Sequence, residues 1–421
     1  MTGKINSEPS CADPVDEESI SLAEALTRIE ARVRPVLACE RLPIRDCLNR
    51  VNNEAVKSPR DVPPTANSAM DGYALAVDSL VNGGIVELEE IGVAYAGKPF
   101  TQKCAAGQCV RIMTGALVPE GTDAVVMQEQ AEIGADGKIR VDGDHRVGEN
   151  IRRAGEDIGK GDVVIEAGAR LSPADLGVLA SLGIPRLQVK RKPMVAFFST
   201  GDELASVGEP LEPGMIYDSN RYSLHGMLSR LPVDIIDLGV VPDNPESMRE
   251  ALRDASTKAD LIISTGGVSV GDADYIKPAL ADLGTTEFWK IAIKPGRPLT
   301  FGQIDASIFM GLPGNPVAVM VTFNQFVAPA IEALSGAPMR PPMLFPARSL
   351  ERMRKKPGRT EFQRGVATLD EENRWQVAKT GKQGSGILTS MSRANCFIVL
   401  PEENDGVEPG DEVSIQFLDW S

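Results

Sequence analysis

The amino-acid sequence predicts an α/β multidomain protein whose central domain has a parallel sheet in a three-layer arrangement. Its 421 residues exceed what one simple core accommodates, so two to four domains are expected. From Pro193 to about Ala337, strand patterns alternate with helical patterns, as in parallel sheets covered by helices on both faces. The segments on either side contain short strand patterns separated by turns, which predicts two smaller β domains.

The composition argues against several classes of function. The formal net charge of −15 disfavours non-specific binding to nucleic acid. With only two histidines, a His-rich metal site or a Ser-His-Asp triad is not expected. The six cysteines form no C-x-x-C pair, which predicts free thiols in a reducing cytoplasm. No apolar run approaches the roughly 20 residues of a membrane span, and the polar N-terminus shows no secretory signal.

The first predicted element is an amphipathic helix that begins after Ser21 and ends near Pro35. Ser21 and Glu24 have the spacing of a capping box. Apolar residues recur at helical intervals at Leu22, Leu26, Ile29 and Val33. The sequence leaves open whether this apolar face packs within the subunit or across a dimer.

The segment Arg60–Ala74 combines prolines with a compact run of Asn, Ser, Asp and Gly. Prolines stiffen the chain, and the small polar residues favour a turn. The segment is therefore either a domain linker, which the residues alone favour, or a rigid loop that presents the Asp71 carboxylate.

A small all-β domain is predicted from Ile85 to Val141, and its clearest strands are Ile85–Leu88, Cys109–Met113 and Ala124–Met127. A return linker follows with paired arginines, Arg152 and Arg153, which form either a surface charge pair or an anion contact. The next element is a helix capped by Ser172 that ends at Gly183.

Polar residues follow the predicted strands of the α/β segment, where ligands of parallel sheets bind. The run Ser264–Asp274 joins a buried strand to a glycine-rich turn and two aspartates. Its glycines allow backbone N–H groups to approach an oxyanion. Alternatively it is only a tight turn with Asp272 or Asp274 as a helix cap.

Cations and a second helix start lie further along the same segment. Lys290 and Lys294 are predicted to share one face of a strand, with Arg297 close behind, as a clamp for a polyanion. The alternative is a solvent-facing edge, an interpretation that suits Lys290 better than Lys294. Asn315 and Pro316 have the pattern of a helix N-cap and first residue.

The C-terminal segment from Pro341 predicts a β-barrel or sandwich. Its strands are predicted at Arg359–Val366, Trp375–Ala378, Cys396–Leu400 and Val413–Phe417. The basic residues between Arg352 and Arg359 are either solvated surface charges or the rim of an anion site. Because there are so many of them, solvated charges are the favoured interpretation.

Several ordered motifs together resemble one family, the bacterial molybdopterin molybdenumtransferases (MoeA), related to the E domains of gephyrin and of plant molybdenum insertases. The motifs are Asn67–Ala74, Arg111–Ala116, Asn150–Arg153, Gly155–Asp157, Ser199–Glu203, Asp260–Tyr275, Lys294–Gly296 and Gly311–Pro316. The resemblance extends from the capped N-terminal helix to the last strands.

The resemblance implies a subunit of four parts. They are a discontinuous helical and linker domain at 19–58 and 150–190, an inserted β domain at 59–149, a molybdopterin-binding α/β domain at 191–338 and a C-terminal β-barrel at 339–421. Residues 1–18 are expected to form a flexible tail.

The same resemblance implies a Mg²⁺-dependent reaction in the cytoplasm. Molybdate is inserted into adenylylated molybdopterin, AMP leaves, and molybdenum cofactor is formed. It also implies a homodimer whose sites are completed by the partner. No fused second enzyme domain is visible, so a separate molybdopterin adenylyltransferase is expected upstream, and molybdoenzymes or their chaperones downstream.

Site residues are carried over by their match to the family motifs. Functional positions match at Asp71, Thr114, Asp157, Glu203, Asp243 and Asp274, of which Asp243 and Asp274 would hold the metal. Substrate and oxyanion contacts are expected from Ser264, Gly266, Gly267, Ser269, Lys290, Lys294, Arg297, Pro313, Asn315 and Pro316. Asp71 and Thr114 are expected to come from the opposite subunit.

Two other functions stay open at this point. A non-catalytic module that binds cofactor, or a scaffold on the same fold, would use the anion site without chemistry. The carboxylates Asp71, Asp243 and Asp274 favour an enzyme, because added negative charge weakens simple anion binding. An enzyme acting on sugar or nucleotide phosphates fits the α/β segment only if the ordered motifs are set aside.

Overall fold

The computed structural model describes residues 19–81, 83–266 and 276–418. The chain divides into two compact units. One comprises the chain up to Glu40, Asn49–Val51 and everything from Lys190 onward, and the other comprises Arg41–Leu48 and Asn52–Val189. The chain passes from one unit to the other at residues 40–41, 48–49, 51–52 and 189–190.

A six-stranded sheet forms the centre of the first unit. Its spatial order is Asp234–Val241, Met194–Thr200, Leu261–Thr265, Ser307–Leu312, Pro298–Ile304 and Gly284–Lys290. The first four strands are parallel, as predicted. Pro298–Ile304, which was not predicted as a strand, is antiparallel to both neighbours. Gly284–Lys290 consequently runs in the same direction as the parallel strands.

Helices cover both faces of this sheet, which confirms the three-layer arrangement. The helices of the first unit are Leu22–Arg32, Ser219–Leu228, Pro245–Ser256, Ile276–Leu283, Pro316–Thr322, Ala328–Leu334 and Leu388–Ser392. On one face, Phe197 and Ile263 share a core with Leu224 and Phe326. On the other face, Phe198 packs with helix Pro245–Ser256.

The N-terminal helix Leu22–Arg32 packs within the subunit. Its buried residues Ala25 and Ile29 belong to the same hydrophobic core as Phe197 of the central sheet. The Ser21 hydroxyl accepts a hydrogen bond from the Glu24 backbone N–H at 3.1 Å, so the predicted N-cap is confirmed. The partner that the sequence left open is thus the α/β core of the same chain.

The helical stretch Pro316–Leu334 is long and apolar enough to cross a membrane by length and composition. It includes the π-helical segment Phe323–Val327. Because 67% of its most apolar window is buried inside the structure, it has the character of a core helix. The stretch is no uninterrupted apolar run, since Asn324, Gln325 and Glu332 lie within it, and its burial explains why it is so apolar.

The C-terminal part of the first unit is a closed five-stranded β-barrel. Going round the barrel, the strands are Thr360–Leu369, Trp375–Lys379, Phe345–Ser349, Glu412–Phe417 and Cys396–Leu400, which pairs again with the first. The short strand Ile293–Lys294 pairs in parallel with residues Thr360 and Glu361 at the start of the first barrel strand. Two-stranded pairs link Leu204–Ala205 to Ile216–Tyr217 and Met353–Arg354 to Gly406–Val407.

The second unit is built around another six-stranded sheet. Its spatial order is Ala124–Met127, Gly72–Leu75, Gln108–Ile112, Ile85–Ala94, Ile139–Asp142 and Ala131–Ile133. Short strands pair Asn67–Ser68 with Ile151–Arg152 and Val56–Lys57 with Val163–Ile165. Single 3₁₀ turns occur at Ile44–Asp46, Val77–Ser79 and Gln128–Gln130.

Gly72–Leu75 corrects the prediction that this stretch is only a linker or turn. All four residues are buried between two neighbouring strands. A Cβ atom on Gly72 would lie 1.9 Å from the Val126 carbonyl oxygen, so the close strand approach requires glycine. The α-helix of this unit, Pro173–Ser181, has the predicted Ser172 cap in a capping box with Asp175.

Candidate active site

The carboxyl edge of the central sheet brings together several of the predicted site residues. Thr200, Thr265 and Leu312 end three adjacent parallel strands. Gly266 follows directly, with φ of 84°, and a Cβ atom there would lie 2.3 Å from the Thr200 carbonyl oxygen. Only glycine fits this position. Since glycine has no side chain, the backbone is accessible at the point where a ligand would approach.

Asp243 lies at the same edge and contacts the neighbouring strand. It follows Asp234–Val241, and its carboxylate accepts a long hydrogen bond, 3.4 Å, from the Thr200 hydroxyl. Beside it, the buried Ser199 and Thr265 hydroxyls are 3.0 Å apart. Asp243 is half-buried, so the carboxylate is held by the sheet yet reaches the surface.

Ser264 is more deeply buried than Asp243 and Gly266. It is fully buried inside the strand, between Phe198 and Gly311 in register, and its hydroxyl has no hydrogen-bond partner. Ser264 thus lies inside the sheet, two residues before the edge at which Gly266 is placed.

The turn after Ser307–Leu312 meets the start of helix Ser219–Leu228. The Asn220 side-chain amide donates to the Gly314 carbonyl at 2.7 Å. A Cβ atom built on Gly314 would come within 3.8 Å of the Gly266 Cα, so two glycine turns approach each other. Pro313 of the same turn is buried.

Asn315 and Pro316 begin the next helix as predicted, but Asn315 does not cap it with its side chain. The structure has Asn315 at the N-cap position with an extended backbone and no side-chain hydrogen bond. The Val317 N–H instead donates to the Ser385 carbonyl at 3.1 Å, from the loop before helix Leu388–Ser392. The exposed Asn315 amide therefore remains available for a ligand.

Lys290 and Lys294 do not share one strand, contrary to prediction. Lys290 ends Gly284–Lys290 at the carboxyl edge of the central sheet, opposite Pro298. The chain then turns, with the Ile291 N–H bonded to the Arg297 carbonyl at 2.7 Å, and Lys294 joins the barrel strand instead. Pro295 and Gly296 promote this turn.

The solvent exposure of the two lysines is also the reverse of what the sequence suggested. The Lys294 side chain is 49% exposed, whereas Lys290 is partly buried. Arg297 precedes Pro298 and is therefore near Lys290 at the same edge. The cations predicted as one clamp are thus contributed by two sheets.

The barrel supplies charged residues that the sequence analysis did not single out. Lys294 forms an ion pair of 2.8 Å with the buried carboxylate of Glu361. Arg364 is 1% exposed and donates to the Ser390 hydroxyl at 3.0 Å and the Gly384 carbonyl at 3.1 Å. Burial lowers the pKa of Arg364 to about 10, which still leaves it charged at neutral pH.

One of the basic residues near the barrel is not a solvated charge. Lys355 is 7% exposed, and its ammonium donates to three backbone carbonyls, the shortest at 2.8 Å to Asn404. Burial lowers the pKa of Lys355. The sequence did contain a signal for Glu361 and Arg364, since they are the charged residues of an otherwise uncharged strand.

A second group of predicted residues lies in the second unit. The exposed Asp71 carboxylate accepts hydrogen bonds from the Thr114 backbone N–H at 2.7 Å and the Thr114 hydroxyl at 2.9 Å. These bonds, followed by the charge of Arg111, lower the pKa of Asp71 below its usual 3.8. Arg111 stacks on Tyr73 at 4.9 Å from the ring centre.

Asp157 and Glu203 are both exposed, each in its own unit. The Asp157 backbone N–H donates to the Val62 carbonyl at 3.0 Å, which holds the linker to the Arg60–Ala74 segment. The Glu203 carbonyl accepts from the Ile216 N–H at 2.8 Å. Both carboxylates therefore sit on backbones that are fixed by hydrogen bonds.

Gly267, Ser269 and Asp274 lie outside the described residues. Within the described ranges, no group of three or more His, Cys, Asp and Glu side chains is arranged to hold a metal ion. Asp243 is a single carboxylate at the open edge of the sheet. Such a site fits Mg²⁺, which takes few protein carboxylates and completes its shell with substrate phosphates and water.

The described cysteines are all free thiols, as predicted, namely Cys39, Cys47, Cys104, Cys109 and Cys396. Burial raises the pKa of Cys109 and of Cys396 to about 12. These thiols are therefore protonated at neutral pH and unsuited to act as nucleophiles.

Three family models match successive parts of the chain. The MoeA N-terminal region (domain I and II) matches residues 20–183. A probable molybdopterin binding domain matches residues 196–333, and the MoeA C-terminal region (domain IV) matches residues 346–418. The matched segments cover nearly all of the described chain.

Full-length relatives give the same result. The molybdopterin molybdenumtransferase of Haemophilus influenzae is 45% identical over 378 residues, covering 90% of this chain and 93% of the relative. That of a Nostoc species is 36% identical over 375 residues, covering 87% and 86%. The crystal structure of the molybdopterin biosynthesis moeA protein from Pyrococcus horikoshii matches with a TM-score of 0.81 at 30% identity, covering 95% of this chain and all of that one. The chain belongs to the MoeA family of molybdopterin molybdenumtransferases.

Proposed function

We propose that this protein inserts molybdate into adenylylated molybdopterin, with release of AMP and formation of molybdenum cofactor. Membership of the family assigns it to molybdenum cofactor biosynthesis as a transferase. The proposal adds the identity of the two substrates and of the leaving group. A non-catalytic role in binding or storing the cofactor on the same fold is the alternative.

The carboxyl edge of the central sheet is the main support for this reaction. Gly266 leaves the backbone bare there, and the half-buried Asp243 carboxylate lies beside it. A site that only bound anions would gain nothing from a carboxylate at this point, because like charges repel. A carboxylate next to an oxyanion cradle suits a phosphoanhydride whose charge is shared with a divalent cation.

In this proposal Asp243 and Asp274 would hold Mg²⁺ near the phosphoanhydride of the substrate. The ion would neutralise charge on the phosphates and on the departing AMP. The chain itself contributes fixed groups around it. Backbone N–H groups near Gly266 and Gly267, together with Ser269, would bind oxyanions, while Ser264 supports the strand that presents them. The turn formed by Pro313, Asn315 and Pro316 would complete this cradle.

The cations are proposed to bind the pterin phosphate and molybdate. Lys290 and Arg297 lie at the sheet edge, and the Lys294 side chain is half-exposed. Molybdate is a dianion, so paired cations would raise its local concentration against the overall charge of −15. Molybdenum would then be taken by the dithiolene sulfurs of the substrate rather than by a protein nucleophile.

We further propose a cytoplasmic homodimer, in which Asp71 and Thr114 come from the opposite subunit. The two bonds from Thr114 lower the pKa of Asp71 and fix the direction of its carboxylate, which suits a group that completes a partner's site. Asp157 and Glu203 are proposed as further polar contacts. The substrate would arrive from a molybdopterin adenylyltransferase, and the cofactor would pass to molybdoenzymes or their chaperones.

One experiment tests the reaction against the non-catalytic alternative. Purified protein is mixed with adenylylated molybdopterin, Mg²⁺ and molybdate. AMP is followed by chromatography, and cofactor by activation of an apo-molybdoenzyme. The proposal expects AMP and cofactor to form in equal amounts and only when molybdate and Mg²⁺ are both present. Tight substrate binding with no AMP release would instead establish the binding role.

A further inference from the structure

The ion pair between Lys294 and Glu361 joins the α/β domain to the barrel. Ile293–Lys294 pairs in parallel with Thr360–Glu361, so Lys294 and Glu361 are directly opposite each other. Because opposite residues of paired strands point to the same side, their side chains meet. The Lys294 ammonium is 2.8 Å from one Glu361 carboxylate oxygen.

Glu361 is fixed from several directions. The residue is 6% exposed, and its second carboxylate oxygen accepts a hydrogen bond from the Gln363 side-chain amide at 3.0 Å. The Thr360 N–H is bonded to the Ala292 carbonyl at 2.9 Å, which ties the strand to the segment that carries Lys294. A carboxylate held in this way can hold a flexible lysine in turn.

Two buried cations of the barrel are held by neutral groups. Lys355 donates to three backbone carbonyls, and Arg364 donates to the Ser390 hydroxyl and the Gly384 carbonyl. Both lie within the electrostatic influence of Glu361, but their hydrogen bonds hold them to other groups. Glu361 forms an ion pair with Lys294, whose side chain is half-exposed and reaches solvent.

We propose that Glu361 is a positioning residue that holds the Lys294 ammonium where the metal oxyanion binds. The barrel would in this way set the geometry of a cation that the α/β domain supplies. The inference rests on the proposed function for its turnover readout. Without Glu361, the four-carbon side chain of Lys294 would spread over many rotamers, and fewer molecules would present the charge to molybdate.

A double-mutant cycle tests this inference, with the variants Lys294→Ala, Glu361→Ala and both together. We expect each single variant to raise the molybdate concentration for half-maximal rate by about tenfold, with a smaller change in kcat. In the Lys294→Ala background, Glu361→Ala should add no more than about twofold. Losses of equal size in both backgrounds, or no loss in either, would overturn the positioning role.

Two controls separate positioning from damage to the barrel. Glu351→Ala removes another barrel carboxylate, which lies 3.4 Å from Lys379, and is expected to leave the molybdate dependence unchanged. Glu361→Gln keeps the side-chain volume and replaces Glu361→Ala if the alanine variant does not fold. A loss with Glu361→Gln that persists in the Lys294→Ala background would also overturn the inference.

A binding measurement keeps the test independent of turnover. Molybdate binding to the same four proteins is measured by equilibrium dialysis at low and high salt. We expect a salt-sensitive loss with Lys294→Ala and with Glu361→Ala, and no further loss in the double variant. If the wild-type protein binds molybdate but releases no AMP, the proposed reaction fails while this cycle still decides the role of Glu361.

Discussion

The Asp71 carboxylate accepts two hydrogen bonds from a single residue, Thr114, through its backbone N–H at 2.7 Å and its hydroxyl at 2.9 Å. Both bonds go to the same carboxylate oxygen, so the other oxygen takes no part in them. The loop between Gln108–Ile112 and Ala124–Met127 therefore orients a charged group at the surface of the second unit. A carboxylate oriented in this way suits the role in the reaction that we propose for Asp71.

Replacement of the Thr114 hydroxyl should lower the insertion rate. Thr114→Val keeps the shape and the backbone bond but removes the 2.9 Å bond, and we expect a loss of roughly tenfold in AMP release, as for one hydrogen bond to a charged group. Thr114→Ser retains the hydroxyl and is expected to stay within about threefold of the wild-type rate. A wild-type rate for Thr114→Val would show that the hydroxyl bond is not needed.

The ionisation of Asp71 should also respond to Thr114. Its pKa is lowered mainly by the Thr114 backbone bond and then by the hydroxyl bond, so its stabilising effect is present above its unfolded pKa and is lost as the pH falls through its lower folded pKa. In Thr114→Val, the pKa should rise toward 3.8. Carbon-13 NMR titration of the Asp71 carboxyl measures this shift, and an unchanged pKa would contradict the geometry.

Much of the fold was predictable because strongly apolar, β-branched runs mark buried strands. Ala124–Met127 and Cys396–Leu400 were predicted with the bounds that the structure has. Gly72–Leu75 was missed because Gly-Tyr-Ala-Leu carries no β-branched residue, although the strand is central. Pro298–Ile304 was missed because its proline and glycine suggest a turn, and its antiparallel pairing depends on distant residues.

The candidate site was predicted residue by residue but not in its connections. The motifs predicted Asp71 and Thr114 as site residues. No spacing rule indicated that Thr114 would donate two hydrogen bonds to Asp71. The same holds for Lys294, whose partner Glu361 is 67 residues away in the sequence. Such contacts are fixed by the register of strands that are distant in the sequence, and a single sequence does not contain that information.

Gly266 offers a direct test of the sheet edge. Gly266→Ala places a Cβ atom 2.3 Å from the Thr200 carbonyl at φ of 84°, and the backbone strain alone is expected to cost about 1–3 kcal/mol. The matched control is Gly226→Ala in the helix Ser219–Leu228, where a Cβ atom meets nothing within 4 Å. That variant should gain about 0.5–1 kcal/mol. Thermal unfolding that moves both variants alike would contradict the structure.

Asp243 is expected to be needed for the reaction and not for the fold. Asp243→Asn removes the charge but keeps the size, and we expect AMP release to fall by roughly ten- to a hundredfold at physiological molybdate. Asp274→Asn should behave in the same way. The control is Asp234→Asn at the opposite, N-terminal end of the strand that precedes Asp243. A wild-type rate for Asp243→Asn, with AMP and cofactor both measured, would remove this residue from the metal site.

Asn315 allows function and helix capping to be separated, because its side chain makes no capping bond. Asn315→Ala should therefore change stability by less than about 0.5 kcal/mol. Asn244 caps the helix Pro245–Ser256 by accepting the Ser247 N–H at 2.9 Å, so Asn244→Ala should cost about 1 kcal/mol. If Asn315 binds substrate, its variant will lose affinity for adenylylated molybdopterin at unchanged melting temperature. A stability loss equal to that of Asn244→Ala would instead identify Asn315 as an ordinary helix cap. The comparison is informative because the Asn315 side chain makes no capping bond, so its replacement should not destabilise the helix.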